Sequence, residues 1–230
     1  MRDPYRTVPP AQLDEFRVAV QDLLEAGVTR VSNSPYALPV VLVRKKDGGL
    51  WVCVDFHRLN AKTVRDVYLI PRIAETLEAL HDAKWFCSVD LQSGYLQVGV
   101  CEANKPKTAM TTPFGLYKFN RMPCGLTNAP ATFQRLMERC LVGLNLKIYL
   151  VYLDDIIVFE VPMKRQIHKR LKIVLKHLGD FGLRLKASKC KLFHTELSYL
   201  GHIVSALGVS TDPDKIRHCK NGFSIHQKCF

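Results

Sequence analysis

Two adjacent carboxylates, Asp154 and Asp155, interrupt an apolar run, Ile148-Tyr149-Leu150-Val151-Tyr152-Leu153-Asp154-Asp155-Ile156-Ile157-Val158-Phe159. Burying ionised carboxylates without partners costs several kcal/mol each. In an extended strand the two would point to opposite faces, whereas at a tight turn between two strands both approach one site. Two compensations exist: an Arg or Lys partner, or a divalent cation, whose hard charge prefers carboxylate oxygen. A second apolar strand, Trp85-Phe86-Cys87-Ser88-Val89-Asp90-Leu91, also ends in an acid, Asp90. Three acids at the ends of apolar strands suit a shared two-Mg²⁺ site, in which ions roughly 3.5–4 Å apart clamp the attacking and leaving oxygens of phosphoryl transfer. The same pattern equally fits Asp90 capping a turn and Asp154-Asp155 in a hairpin loop.

Elements must bring these acids together. A helix is expected after Pro9-Pro10, with Leu13, Phe16, Val20, Leu23 and Leu24 on one face and Gly27 ending it. Residues 39–43 and 51–56 read as two strands around a hairpin tip, Lys45-Lys46-Asp47-Gly48-Gly49. Residues 71–83 read as a short amphipathic helix carrying Ile73, Leu77 and Leu80, and 85–91 as a strand. Asn128-Ala129-Pro130 opens a helix with Phe133, Leu136, Met137 and Cys140 on one face. The stretch 146–159 holds a buried strand pair, 167–178 a Lys/Arg-rich helix closed near Gly182, and 199–204 a last short strand. Residues 218–230 have weak periodicity and many polar residues and are given no secondary structure. Strands and helices that do not strictly alternate argue an α+β fold.

Composition narrows the partners. The 230 residues carry 33 Lys or Arg against 21 acids, a net charge of +12. That excess favours a polyanion, meaning nucleic acid or an anionic membrane surface. Hydrophobic residues at 47 % and charged residues at 23 % exclude a disordered tail or a collagen-like chain. No apolar run is long enough to span a membrane, and the N-terminus, MRDPYRTVPPAQLDEF, has no apolar core of the signal-peptide kind. The eight cysteines are scattered without zinc spacing, so reduced core thiols in an intracellular compartment are expected.

The blocks in which these residues stand carry a resemblance. They are Ser34-Pro35-Tyr36, residues 39–48, Val54-Asp55-Phe56 with Leu59-Asn60, Ser88-Val89-Asp90-Leu91-Gln92-Ser93-Gly94-Tyr95 and Lys107-Thr108-Ala109. There follow Pro113-Phe114-Gly115-Leu116-Tyr117, Arg121-Met122-Pro123 with Gly125-Leu126, residues 128–134, Tyr152-Leu153-Asp154-Asp155, Ser188-Lys189-Cys190 and Tyr199-Leu200-Gly201-His202. In this order they closely resemble the reverse transcriptase of gypsy-type LTR retrotransposons, over roughly residues 4–217. The resemblance implies a right-hand polymerase fold, with fingers about 1–83 and 107–126, palm about 84–106 and 127–204, and the start of a thumb at 205–217. It implies an RNA-directed DNA polymerase that adds dNTPs to a DNA primer on an RNA or DNA template, with two Mg²⁺ ions, or Mn²⁺, as cofactor. Asp90, Asp154 and Asp155 match the metal-binding catalytic triad, and the backbone carbonyl of Leu91 would complete one metal's shell. Lys45 or Lys46, Ser93, Gly94, Cys124 and Lys189 match dNTP-binding positions. Tyr95 matches the steric gate that excludes a 2′-hydroxyl, and Leu200-Gly201-His202 the primer grip. Residence in the cytoplasm or nucleus, without secretion or membrane insertion, is the corresponding expectation.

This sequence departs from the family pattern at several positions. Trp51 stands where the fingers strand carries a triphosphate-binding arginine, and an indole does not replace bidentate guanidinium–phosphate contacts. Cys124 replaces a larger side chain of the nucleotide site, and Glu160 is expected to add negative charge close to the triad. The chain is expected to stop in the thumb, with 218–230 an unrelated tail and no RNase H segment. A catalytically impaired retroelement fragment that only binds nucleic acid is therefore the alternative. A two-metal nuclease ranks below it, and a domain without a ligand is the remaining contrast.

Overall fold

A computed structural model describes residues 2–4, 6–44, 48–144, 148–160 and 166–213. In chain order the helices are α1 (Pro10–Glu25), α2 (His57–Asn60), α3 (Ile73–Glu78), α4 (Ala129–Cys140) and α5 (Ile167–Asp180). The strands are β1 (Thr29–Val31), β2 (Leu38–Arg44), β3 (Leu50–Val54), β4 (Trp85–Asp90), β5 (Met110–Thr112) and β6 (Gly115–Phe119), then β7 (Tyr149–Tyr152), β8 (Asp155–Glu160), β9 (Lys191–His194), β10 (Glu196–Tyr199), β11 (His202–Ser205) and β12 (Gly208–Thr211). Among the described residues two compact units form, one within residues 2–66 and 95–129, the other within 67–94 and 130–213.

In the first unit, α1 starts on Pro10, whose missing N–H is no loss in a first helical turn. It ends in a Schellman motif: Gly27 N–H donates to the Leu24 carbonyl at 2.9 Å and Val28 N–H to Leu23 at 3.0 Å. Phe16 and Val20 of α1 pack with Val40, Met110 and Phe119 of a five-stranded sheet, order β1-β6-β5-β2-β3. β2 and β3 pair antiparallel from Val40–Val54 to Arg44–Leu50. Lys45 and Lys46, expected at a hairpin tip, lie outside the described residues. The second hairpin strand stops at Val54, short of the expected 56. There the Asp55 carboxylate accepts the His57 backbone N–H at 3.1 Å, which opens α2, and pairs with Arg6 at 2.6 Å. Burial pushes the Asp55 carboxyl up, but hydrogen bonds from the His57 ring and backbone and the charges of His57 and Arg6 outweigh it, and hold the group below the usual carboxylate range.

The second unit is built on a four-stranded sheet, order β7-β8-β4-β9. Ile156, Ile157, Val158 and Phe159 of β8 are all buried because both faces of the sheet are covered. Ile157 and Phe159 join Phe86, Leu197, Tyr199 and Val204 in one core, and by strand alternation Ile156 and Val158 face the other side. α5 packs against β8 and β4 and ends, like α1, in a Schellman motif, with Leu183 N–H on the Leu178 carbonyl at 2.9 Å past Gly182.

Several expectations are corrected here. The helix expected over 71–83 shortens to α3, and Leu77, Leu80 and Ala83 enter the core of the second unit with Phe86 and Phe159. Residues 67–83 thus belong to the carboxylate-bearing unit. The single strand expected over 199–204 is a hairpin corner. Tyr199 pairs with His202, and the intervening Leu200 and Gly201 have φ of 50° and 78°, a type I′ turn, between strands of a separate β10-β11-β12 sheet. Of the six described cysteines, all free thiols, only Cys87 and Cys140 are buried, and Cys101 is exposed. Burial pushes the Cys87 thiol up, and its sulfur accepts the Phe193 backbone N–H where the β4–β9 ladder is irregular. Residues 218–230 lie outside the described residues.

Candidate active site

The β7–β8 hairpin carries two of the three acids. Tyr152 pairs with Asp155, leaving Leu153-Asp154 as a two-residue turn. Leu153 has φ 56°, a left-handed conformation that is strained for a side chain branched at Cγ. A positive φ at the first turn residue alone is the type II′ pattern that matches hairpin twist. The strain is held by α4. The Gln134 side chain, 1 % exposed, accepts the Leu153 backbone N–H at 3.0 Å and donates to the Val151 carbonyl at 3.4 Å and to Glu138 at 3.0 Å.

β4 brings the third acid. Asp90 is the register partner of Asp155 in the antiparallel β4–β8 ladder. Two carboxylates directly opposite each other destabilise a sheet unless a cation intervenes. Lys189 supplies one charge, its Nζ standing 3.3 Å from an Asp90 carboxylate oxygen. Past Asp90, Gln92 N–H donates to the Arg184 carbonyl at 3.0 Å and Lys186 N–H to the Asp90 carbonyl at 2.9 Å, around a Leu91–Leu185 bridge. In such a non-hydrogen-bonded pair the C=O of Leu91 points away from Leu185, toward the β8 side of the strand.

The turn after β4 fits closely under the hairpin. Ser93 is exposed with φ 50°, and Gly94 is buried. A Cβ on Gly94 would lie 3.0 Å from Phe133 Cζ and 3.6 Å from Asp154 Cβ, so only glycine fits without displacing a neighbour. Tyr199, at the corner before Leu200, has its hydroxyl buried without a hydrogen-bond partner among the described residues. Burial pushes that hydroxyl's pKa up, and the charges of Asp155 and Tyr152 push the same way.

Asp90, Leu91, Ser93, Gly94, Asp154, Asp155, Lys189 and Leu200-Gly201-His202 all belong to the second unit. Tyr95 and Cys124, both half-buried, belong to the first. There Asn60 holds the Cys124 loop, donating to the Gly125 carbonyl at 2.8 Å and accepting the Thr127 N–H at 2.9 Å. Trp51 is 39 % exposed on β3. Glu160, expected near the triad, is not: it pairs with Trp85 at the opposite end of the β4–β8 ladder, about 16 Å along the strand, where its buried carboxylate accepts the Gln166 N–H. Gln134 is the positioning residue that the reading of types and spacing misses. Its signal is an amide on the apolar face of α4, beside Phe133 and Met137, where burial demands a partner.

The Reverse transcriptase (RNA-dependent DNA polymerase) family profile matches residues 43–204 of this chain. The chain belongs to the reverse transcriptase family. Among curated relatives, the Retrovirus-related Pol polyprotein from transposon opus of Drosophila melanogaster is 41 % identical over 208 residues, 88 % of this chain and 21 % of that protein. The corresponding polyprotein from transposon gypsy is 37 % identical over 204 residues, 86 % of this chain and 20 % of its own length. The Enzymatic polyprotein of Soybean chlorotic mottle virus is 36 % identical over 194 residues, 82 % and 28 %. The chain thus spans about a fifth of the length of the transposon relatives. The foamy viral protease-reverse transcriptase in complex with dsDNA superposes with TM-score 0.86 at 22 % identity, over 97 % of this chain and 46 % of that one. The same enzyme in complex with RNA/DNA hybrid gives 0.85, over 97 % and 30 %. The α+β architecture expected of a right-hand polymerase's fingers and palm is the observed fold. Within this reverse transcriptase fold, the Tyr152-Leu153-Asp154-Asp155 box is the strained hairpin corner clamped by Gln134.

Proposed function

We propose that the chain is the RNA-directed DNA polymerase core, fingers and palm, of a gypsy-type LTR retrotransposon Pol polyprotein, a nucleotidyltransferase extending a DNA primer with dNTPs on an RNA or DNA template. The observation that carries this reading is the facing pair Asp90–Asp155 with Asp154 at the adjoining corner, in a chain of this family. The donor chemistry fits a hard divalent ion: the ligands offered are carboxylate and carbonyl oxygens, with Lys189 beside Asp90. Among the described residues no three His, Cys, Asp or Glu side chains stand close enough to hold one ion.

Asp90, Asp154, Asp155 and the Leu91 carbonyl would hold Mg²⁺, or Mn²⁺. When bound, two such ions lower the pKa of a primer 3′-hydroxyl and offset triphosphate charge. Lys189, displaced from Asp90, donates its ammonium protons to phosphate oxygen. Lys45 or Lys46, Ser93, Gly94 and Cys124 are assigned to dNTP binding through the motifs in which they stand. The Tyr95 ring stands against a 2′-hydroxyl, so deoxynucleotides are selected. The Leu200-Gly201-His202 corner presents backbone to the primer end. The net charge of +12 suits a template–primer duplex, since each neutralised phosphate releases counterions. No described helix is long and apolar enough to cross a membrane, and the transposon relatives support residence in cytoplasm or nucleus.

A second reading, a nucleic-acid-binding fragment without synthesis, is favoured by Trp51 at the arginine position. Primer extension on an RNA template with Mg²⁺ and dNTPs, beside Asp154→Asn, separates the two. Extension by the unaltered chain with a loss of about a hundredfold or more in Asp154→Asn is expected. Equal extension by both sinks the triad assignment, and binding without extension by either, in a folded chain, establishes the second reading.

A further inference from the structure

We propose a second nucleic-acid surface in the carboxylate-bearing unit: a single-strand track formed by α5 and the edge strand β9, centred on the His168–Phe193 ring pair. The two rings stack with centroids 4.4 Å apart and 27° between planes. Both residues are exposed, and every residue of β9 is exposed on its open edge of the sheet. His168, Lys172 and Lys176 stand one above another on successive turns of α5, about 6 Å apart along the axis, and all three positions carry or can carry positive charge. Lys169 lies beside this ridge, and Lys191 is two residues from Phe193 on β9. Residues 166–194 hold eight Lys or Arg against one acid, Asp180. Among the described residues Lys169, Lys172, Lys176 and Lys191 enter no ion pair.

Helix stability does not explain this pattern. Like charges four residues apart cost a few tenths of a kcal/mol each, and the one acid on α5, Asp180, stands four residues beyond Lys176 and eight beyond Lys172. Phe193 also has φ 59°, which a bulky residue adopts only at a cost. This backbone falls at the irregularity of the β4–β9 ladder, where Phe193 is 37 % exposed. An aromatic ring within a basic groove is what unpaired bases and their phosphates need together. Duplex offers phosphates but no free base face, so the occupant that uses both features is single-stranded DNA or RNA. The track does not depend on the carboxylates, and polymerase failure leaves it intact.

The test is fluorescence anisotropy of the 230-residue chain with labelled oligothymidylate of about twenty nucleotides, without dNTP or Mg²⁺. Phe193→Gly is expected to weaken binding about fivefold or more, without lowering the melting midpoint, because glycine accepts this φ. Lys169→Gln, Lys172→Gln and Lys191→Gln together are expected to reduce the slope of log affinity against log salt by about 2. Photocrosslinking of a 5-iodouracil oligonucleotide to the unaltered chain is expected to label the peptide holding Phe193 or that holding His168. Unchanged affinity in Phe193→Gly, or crosslinks confined to other peptides, overturns the proposal. So does equal competition by polyglutamate, which would mark a surface for acidic protein.

Discussion

At the scale of single residues, the acids declare themselves and their support does not. Asp90, Asp154 and Asp155 break apolar runs, and a charge in a buried strand needs a reason. Gln134 gives a weaker signal, an amide on the apolar face of a helix, and the fold shows it 1 % accessible beneath the hairpin. Its amide is the link between α4 and the strained corner. Gln134→Ala leaves the Leu153 N–H without its acceptor, a cost of about 1–3 kcal/mol. For a chain of this size each kcal/mol lowers the melting midpoint by about 2–4 °C. Primer extension should fall further than that loss of folded protein explains, because Leu153 relaxes and Asp154 with it. Calorimetry and steady-state extension at a temperature where both proteins are folded decide it; unchanged values in both discard the clamp.

At the scale of elements, periodicity carries the reading as far as periodicity reaches. α1, α4 and α5 appear where their apolar faces place them, and two helix ends fall at Gly27 and Gly182, because caps are local chemistry. β5, β6 and β12 are short and leave no two-residue rhythm to read, and the Leu200-Gly201 corner hides inside an apolar stretch. Close packing between elements is likewise absent from the sequence, and Gly94 shows its consequence. The turn after β4 lies so near α4 that a methyl group would meet Phe133 at 3.0 Å. Gly94 does not have positive φ, so alanine is acceptable to the backbone and the effect is steric alone. Gly94→Ala should lower extension about tenfold or more by displacing Phe133 or Asp154, since small misplacements near a reacting centre are costly. Gly99→Ala, where nothing lies within 4 Å, is the matched control. If both alanine variants extend primers like the parent, Gly94 does not set the position of the hairpin.

At the scale of the whole molecule, the chain has two units with separate cores, one around Phe16 and Met110, the other around Phe86 and Phe159. The three acids all lie in the second. A ligand stabilises only the body that binds it, by about 2.7 kcal/mol at a hundredfold excess over its Kd. Mg²⁺ should therefore raise the unfolding temperature of the second unit by several degrees and leave any separate transition of the first unmoved. EDTA should reverse the shift. Asp90→Asn with Asp155→Asn should abolish it, and should also raise metal-free stability, because the facing charges that repel in the ladder are gone. Differential scanning calorimetry of the full chain, with and without Mg²⁺, reads all of these. A Mg²⁺ shift that survives the double substitution would place the ion elsewhere. Metal-free destabilisation by the substitution would mean that Lys189, 3.3 Å from Asp90, already more than balances the pair, and that the acids serve the fold before they serve an ion.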